Sequence, residues 1–203
     1  MKKILAITAL VASIVVLSYN ASAQISINGG YICQQHTFNI NTLAQEVSQK
    51  DQWMHGGFVG ASQNLPMFAN VSMTPGAYIS LSQMKQVVDG DVNESTTSDF
   101  SLKLPFLLNL RFDKMFVFGG PVFNVSLSTI KNLSSVANTS DIHFDMSAAA
   151  GAGVRFGFFH IYAGFNYALI DHNNFNYSSA EAYTAAWEGS TIIVGLGFSL
   201  SRQ

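Results

Sequence analysis

The stretch FSLKLPFLLNL, residues 100–110, alternates between two kinds of side chain. Every even-numbered position carries Phe or Leu, and the odd positions carry Ser101, Lys103, Pro105, Leu107 and Asn109. Successive side chains of a β-strand point to opposite faces of the sheet. The period of two therefore predicts a strand with one apolar face and one face that is mostly small or polar.

The same alternation recurs along the chain after residue 24. We count eight such segments, near 25–35, 54–63, 68–82, 99–110, 115–128, 142–156, 160–170 and 190–200. Three connections are predicted to be tight, at 64–66, 111–114 and 157–159. Four are long and rich in Asn, Ser, Thr and Asp, at about 36–53, 83–98, 129–141 and 171–189. Short turns on one side and long loops on the other are typical of barrels that span an outer membrane.

The composition favours a membrane barrel over a soluble β-sandwich, which is the main alternative. Charged residues make up 11% of the chain and hydrophobic residues 48%, whereas soluble domains carry about 25% charged residues. The less apolar face of each predicted strand holds Gly, Ser, Thr and Ala rather than the charges that a solvated sheet face would need. Small residues fit the narrow interior of an eight-stranded barrel.

The N-terminus predicts export. Lys2 and Lys3 precede an apolar stretch, residues 4–17, and the small residues 21–23 (ASA) match a signal-peptidase site before Gln24. An uncleaved N-terminal anchor is the alternative. We predict a signal peptide at 1–23 and, at 24–203, an all-β domain: an eight-stranded antiparallel up-and-down transmembrane β-barrel in the bacterial outer membrane.

A closed barrel also has a physical reason. Lipid offers no hydrogen-bond partners, so every backbone group of a spanning sheet must pair within the protein. Eight strands enclose an interior that side chains can fill. We therefore expect a plugged lumen and no diffusion pore.

Aromatic residues are predicted to lie near both ends of the strands, as girdles at two membrane interfaces. Those near the tight turns are Phe68, Phe112, Phe116, Phe156, Phe158 and Phe159, and those near the long loops are Trp53, Phe100, Phe144, Tyr167, Phe175 and Trp187.

From residue 56 onward the chain resembles the PorT-like outer-membrane β-barrel family, best known from Bacteroidetes. The stretches that carry the resemblance are GGFVG (56–60), LPFLL (104–108), FGGP (118–121), FDM (144–146), GAGVRF (151–156) and GLGF (195–198). Two departures stand out: Leu200 lies near the place of a terminal aromatic residue, and the sequence around Asn166 lacks an expected arginine. The resemblance implies a fold and a location but no activity, since one scaffold hosts many roles.

Several polar residues fall on the predicted inward faces. A buried charge needs a partner, so we predict that they form a structural network in the lumen rather than an active site or an ion path. The predicted members are Lys103, Asp145, Arg155, Tyr78, Asn109, Tyr162 and Asn166.

The sequence predicts no enzyme. His143 and Ser147 share a strand face with Asp145, but residues four apart on a strand lie about 13 Å apart, and a catalytic pair must be within about 3 Å. The chain has no Gly-x-Ser-x-Gly elbow. We also predict no catalytic residue, no cofactor and no metal site.

The charge excludes a nucleic-acid partner. Without Lys2 and Lys3, eight basic residues oppose twelve acidic ones, a net charge of −4, and nucleic-acid binding needs a basic patch. The expected partners are outer-membrane lipid, the barrel-assembly machinery and an envelope protein. The expected function is a structural or loop-mediated interaction role, with two alternatives: an accessory subunit of an envelope transport or secretion assembly, and a lipid-modifying enzyme.

Overall fold

The computed structural model describes residues 24–42, 45–87, 94–132, 139–170, 183–186 and 190–200. The predicted signal peptide at 1–23 lies outside them. The strands are β1 (Gln24–Thr42), β2 (Gln45–Phe68), β3 (Val71–Val87), β4 (Glu94–Phe112), β5 (Met115–Asn132), β6 (Thr139–Phe156), β7 (Phe159–Ile170), β8 (Tyr183–Ala186) and β9 (Ser190–Leu200). Within the described ranges, no helix has the length and hydropathy needed to cross a lipid bilayer.

The strands close into an eight-stranded antiparallel barrel, which confirms the predicted fold class. Each long strand pairs with the next in sequence, and β1 pairs with both β2 and β9. The short strand β8 adds to the projecting part of β1, where Thr37 pairs with Ala186 and Ile40 with Tyr183. Closure gives every long strand two neighbours, so the sheet has no free edge along its wall.

β1 to β6 extend three to nine residues beyond the predicted segments toward the long loops, whereas β7 and β9 match them within one residue. The eight long ones run from 11 to 24 residues, whereas a bilayer span takes about 9–11. The expected loop at 36–53 is largely an antiparallel hairpin, because β1 and β2 stay paired to Thr42 and Gln45. The expected loops at 83–98 and 129–141 shrink in the same way, since β3 pairs with β4 to Val87 and β5 extends to Asn132. The sequence predicts loops at these polar strand residues because their pattern lacks an apolar face.

One predicted tight turn is wrong and two are confirmed in place. Asn64 and Pro66 belong to β2, and the turn lies at Ala69 and Asn70. Proline fits the extended backbone of a strand, and the ladder adapts by a register shift between Pro66 and Phe68. The other turns lie at 113–114 and 157–158.

Two of the three tight turns contain a residue with positive φ, and all three accept the same kind of backbone hydrogen bond. Asp113 has a φ of 54° and Gly157 a φ of 61°, in the left-handed region that Asp tolerates and Gly favours. In each turn, the backbone carbonyl of the second residue accepts a hydrogen bond from a backbone N–H of a strand farther along the chain. The N···O distances are 2.9 Å from Arg111 to Asn70, 2.7 Å from Arg155 to Lys114 and 2.6 Å from Ser199 to Phe158. These bonds join the three turns into one continuous rim.

Candidate functional site: the barrel wall and the lumen

The outward face of the wall is an apolar belt. The alternation predicted for the last strand is confirmed: Ile192, Val194, Leu196, Phe198 and Leu200 are exposed, and Thr191, Gly195, Gly197 and Ser199 are buried. Exposed aliphatic side chains continue the belt around the barrel, including Ile25, Ile27, Val59, Ile79, Leu81, Leu108, Leu110, Val117 and Ile161. A contiguous apolar surface of this extent is not found on soluble monomers.

Exposed aromatic side chains border the belt at both ends. Phe68, Phe112, Phe156 and Phe158 lie at the tight turns, and Trp53, Phe100, Phe144 and Tyr167 lie toward the hairpins. The prediction that Phe116 belongs to the aromatic girdle is wrong, because its side chain lines the lumen. Phe116 lies opposite Arg111 of β4, which also lines the lumen. Phe175 and Trp187 lie outside the described residues.

We divide the lumen into two parts. The hairpin half is lined by Gln34, Ser80, Ser82, Asp99 and Ser101, and it is densely packed. All five residues are buried. The Ser80 and Ser101 hydroxyls lie 2.6 Å apart, and the Ser82 hydroxyl donates to Oε1 of Gln34 over 3.2 Å. Small hydrogen-bonded side chains thus fill this half, as the plugged lumen requires.

At the base of the hairpin half, a row of polar residues runs from strand to strand along the wall. Tyr78 pairs with Lys103, Lys103 with Asn124, and Asn124 with Asp145, on four consecutive strands. Lys103 is only 6% exposed. Its ammonium interacts electrostatically with the carboxylates of Asp99 and Asp145. The structure therefore brings Lys103 and Asp145 together, and adds Asp99, which the sequence reasoning missed.

The structure places Arg155 elsewhere. It is ten residues from Asp145 along β6, roughly 33 Å of extended strand. There the guanidinium donates to Oε1 of Gln24 over 3.3 Å and lies close enough to Arg111 for electrostatic repulsion. The two ends of the predicted network are thus separate clusters, one at the middle of the lumen and one at its rim.

The other predicted members lie in the lumen between these clusters. Asn109 donates to the Thr74 hydroxyl over 2.6 Å. Asn166 is buried on β7, opposite Ala149 of β6. Tyr162 stacks on His160 and meets the edge of Phe118.

The turn half of the lumen, lined by Asn28, Phe116, Phe118, His160 and Tyr162, encloses a cavity of about 130 Å³. Its remaining lining is mixed. Apolar side chains include Ile32, Phe58, Leu107, Val122 and Ile193, polar ones include Ser62, Ser72, Thr74, Tyr78, Lys103, Asn109 and Asn166, and Arg111 and Arg155 stand at its rim. The filled interior expected from strand number is therefore found in the hairpin half, while the turn half contains open space.

Aromatic rings form the cavity wall because they lie flat across glycines of neighbouring strands. A Cβ atom on Gly195 would overlap the ring of Tyr162, and one on Gly151 would overlap the ring of Phe118. The glycines thus hold the rings against the wall instead of along the axis. Inward-facing glycines on β6 and β9 were the sequence signal for this arrangement.

His143 and Ser147, the pair considered for catalysis, both belong to β6. They stand four residues apart on β6, about 13 Å by strand geometry. In the part of the chain that the structure describes, no three His, Cys, Asp or Glu side chains group to hold a metal ion.

Solved outer-membrane barrels share this fold. Ail, the attachment invasion locus protein of Yersinia pestis, solved in complex with the heparin analogue sucrose octasulfate, superposes with a TM-score of 0.55 at 12% identity, covering 88% of this chain and 99% of that one. The outer membrane protein OprG from Pseudomonas aeruginosa gives 0.54 at 13% identity, covering 89% and 97%. At these identities the likeness concerns the fold alone.

No family model matches the chain, and neither does any curated protein sequence. Membership of the PorT-like family stays a prediction.

Proposed function

We propose that this chain is an integral outer-membrane protein without enzymatic activity, whose barrel anchors stiff hairpins that contact partners outside the cell. The observation that carries the proposal is the closed barrel with an apolar outward belt bordered by aromatic residues. Transferring apolar surface out of water stabilises it by about 25 cal/mol per Å², so a belt of this size favours lipid. The export signal predicted at residues 1–23 supports the same location.

The length of the hairpins supports the interaction role. Paired strand continues from the level of Trp53 to Gln45 on β2, eight residues farther along the strand. At about 3.3 Å per residue this is roughly 26 Å of strand. The added strand β8 widens the same hairpin into three strands. A paired hairpin is a stiffer platform than an unpaired loop, and the attachment role named for Ail is the kind of function that such a platform suits.

Heat-modifiable gel mobility tests the location and fold together. Protein extracted from outer membranes should migrate differently before and after boiling, because a closed barrel resists detergent unfolding. Equal mobility in both samples, or recovery of the protein in the soluble periplasmic fraction, would contradict the proposal.

Cysteine labelling on intact cells tests the orientation. In a Cys33→Ser background, Thr42→Cys places a thiol on the β1–β2 hairpin and Lys114→Cys places one on a tight turn. A membrane-impermeant maleimide should label the Thr42→Cys variant on intact cells and the Lys114→Cys variant only after permeabilisation. The reverse labelling pattern would show that the hairpins do not face the cell exterior, and it would contradict the interaction role.

A subunit role in an envelope assembly is the second candidate. The outward face of β1 and β2 carries a polar group within the belt: the Tyr31 hydroxyl bonds to Nδ1 of His55, and the thiol of Cys33 lies 3.5 Å from the same nitrogen. Polar side chains on a lipid-facing wall favour contact with another protein. A benzophenone maleimide attached to Cys33 and irradiated in native membranes inserts into a C–H bond of any adjacent protein, so it should give one discrete larger band for a subunit, and no such band for an isolated barrel.

A further inference from the structure

The cavity in the turn half is closed at one end and open at the other. Toward the hairpins it ends on buried side chains: Ile32 is 0% exposed, Val122 5% and Lys103 6%. At the tight turns its rim is formed by Asn64, which is half-buried, and Arg111, which is exposed. A molecule could therefore enter from the side of the tight turns but could not pass through the barrel.

The walls of the cavity suit a flat or apolar body. Phe118 meets Tyr162 edge to face at a centroid distance of 6.1 Å, and Phe58 meets Tyr78 in the same manner at 5.8 Å. Aromatic side chains prefer such offset and edge-on contacts with further rings. The volume of about 130 Å³ is close to that of an apolar cavity of about 150 Å³ that binds benzene. The cavity thus accommodates a single ring or a short alkyl chain.

The rim supplies positive charge. Arg111 and Arg155 are close enough to repel each other, and the one side-chain hydrogen bond of Arg155 among the described residues goes to the neutral amide of Gln24. Two guanidinium groups that share a rim are stabilised by an anion, and their paired N–H groups match a carboxylate.

The polar pair Asn28 and His160 fixes one side of the cavity wall. Nδ2 of Asn28 donates to the Ser62 hydroxyl over 2.9 Å, which orients Oδ1 as acceptor for the N–H at Nε2 of His160, 3.1 Å away. The imidazole ring is thereby held against Tyr162, on which it stacks.

From the aromatic cavity, closed at one end, and its two rim arginines, we propose that the turn half binds a small amphipathic anion. The apolar body, a ring or a short alkyl chain, lies between Phe58, Phe118 and Tyr162. The anionic group lies at Arg111 and Arg155. This role is additional to the hairpin function and does not depend on it.

The test uses the full-length mature protein in nanodiscs of zwitterionic phospholipid, after heat-modifiable mobility has shown a folded barrel. The probe is 4-fluorobenzoate, followed by fluorine NMR. It should bind saturably to protein-containing nanodiscs and not to empty ones. 4-Fluorobenzyl alcohol, which has the ring without the charge, should bind at least tenfold more weakly, and acetate should not compete.

Variants locate the site. Arg111→Gln and Arg155→Gln should each weaken benzoate binding about fivefold to tenfold, because each variant loses one charge-assisted hydrogen bond while the second cation stays in place. The matched control is Lys114→Gln, which removes a cation from the adjacent turn outside the cavity and should leave affinity unchanged. Val122→Trp should abolish binding by filling the cavity. Ala149→Leu is the milder filling variant if the tryptophan prevents folding.

Three results would overturn the proposal. They are the absence of saturable binding beyond empty nanodiscs, equal affinity for the acid and the alcohol, and unchanged affinity in the folded variant with both arginines replaced. Because the folded band is checked first, each of these results leaves the proposed membrane barrel intact and rejects the ligand site alone.

Discussion

The two halves of the lumen are packed in different ways. In the hairpin half, Ser80, Ser82 and Ser101 are almost fully buried and bond to each other or to Gln34. In the turn half, β5 and β7 carry larger groups, the rings of Phe118 and Tyr162, yet these leave open space. Small polar residues pack tightly because they bond to each other between nearby strands, as Ser80 and Ser101 do on the paired strands β3 and β4. Large rings leave a cavity because glycines let them lie against the wall. Packing density therefore depends on where the side chains are directed, and not on their size.

The largest expected difference concerns the charge at the base of the hairpin half. Lys103→Met leaves Asp99 and Asp145 without their buried cation, and breaking a buried pair costs about 3–5 kcal/mol. Lys114→Met, on an exposed turn, should change stability by less than about 0.5 kcal/mol. Urea-induced unfolding followed by tryptophan fluorescence measures both. Asp145→Ala should likewise lower the temperature at which the folded gel band disappears. Equal unfolding midpoints for the Lys103 and Lys114 variants would show that the charged row does not stabilise the barrel.

This row shows how far the sequence carried the prediction. Strand parity placed Lys103 and Asp145 in the lumen. The tight turn at 113–114 also fixes the register of β4 against β5, because a two-residue hairpin sets which residues face each other. Strand parity also placed Arg155 on the correct side of the wall. Because Asp145 and Arg155 lie on the same strand, β6, their separation of about 33 Å follows from sequence spacing too, and the prediction of a single network that includes both overlooked that spacing.

The sequence did not predict the cavity, because the cavity depends on contacts between strands that are distant in sequence. Its shape depends on which glycine lies beneath which ring, and Tyr162 and Gly195 are 33 positions apart on β7 and β9. The misplaced turn at 64–66 has a local cause instead. Asn64 and Pro66 are typical turn residues, but Pro66 also fits an extended strand, and the backbone bond from Arg111 to Asn70 places the turn farther along.

Shortening a buried apolar side chain should destabilise the barrel more in the hairpin half than in the turn half, with a smaller difference than for the charge variants. Met54 is 0% exposed and faces the hairpin half opposite Gln34. Met54→Ala should destabilise the barrel within the range of about 2–5 kcal/mol for buried truncations. Ile193 already borders the cavity, so Ile193→Ala removes fewer contacts and should cost about half as much or less by the same reasoning. Equal losses in chemical unfolding would mean that the cavity wall is packed as tightly as the hairpin half.

The contact between a ring and a glycine gives the next effect. Gly195→Ala inserts a methyl group into the ring of Tyr162, and overpacking costs about 1–3 kcal/mol. Gly57→Ala is the control, because its added methyl group meets only the Gly30 carbonyl at 3.5 Å, an ordinary contact. Tyr162→Leu should reduce the cost of Gly195→Ala, with a coupling energy of about 1 kcal/mol or more in a double-mutant cycle. Additive effects would show that the ring does not lie on this glycine.

The smallest expected difference in stability comes from the most direct comparison, because both halves of the lumen contain the same chemical pair, two serine hydroxyls. Ser80 and Ser101 hydroxyls lie 2.6 Å apart in the hairpin half, and Ser26 and Ser199 hydroxyls lie 3.0 Å apart near the open rim. Ser101→Ala should cost about 1–2 kcal/mol, since it leaves the Ser80 hydroxyl buried without its partner. Ser199→Ala should cost less than about 0.5 kcal/mol, because water entering at the rim can replace the lost hydroxyl for Ser26. Denaturant midpoints of the two variants measure this directly. If Ser199→Ala proves as costly as Ser101→Ala, water does not reach the turn half, and the cavity cannot admit a ligand from that end.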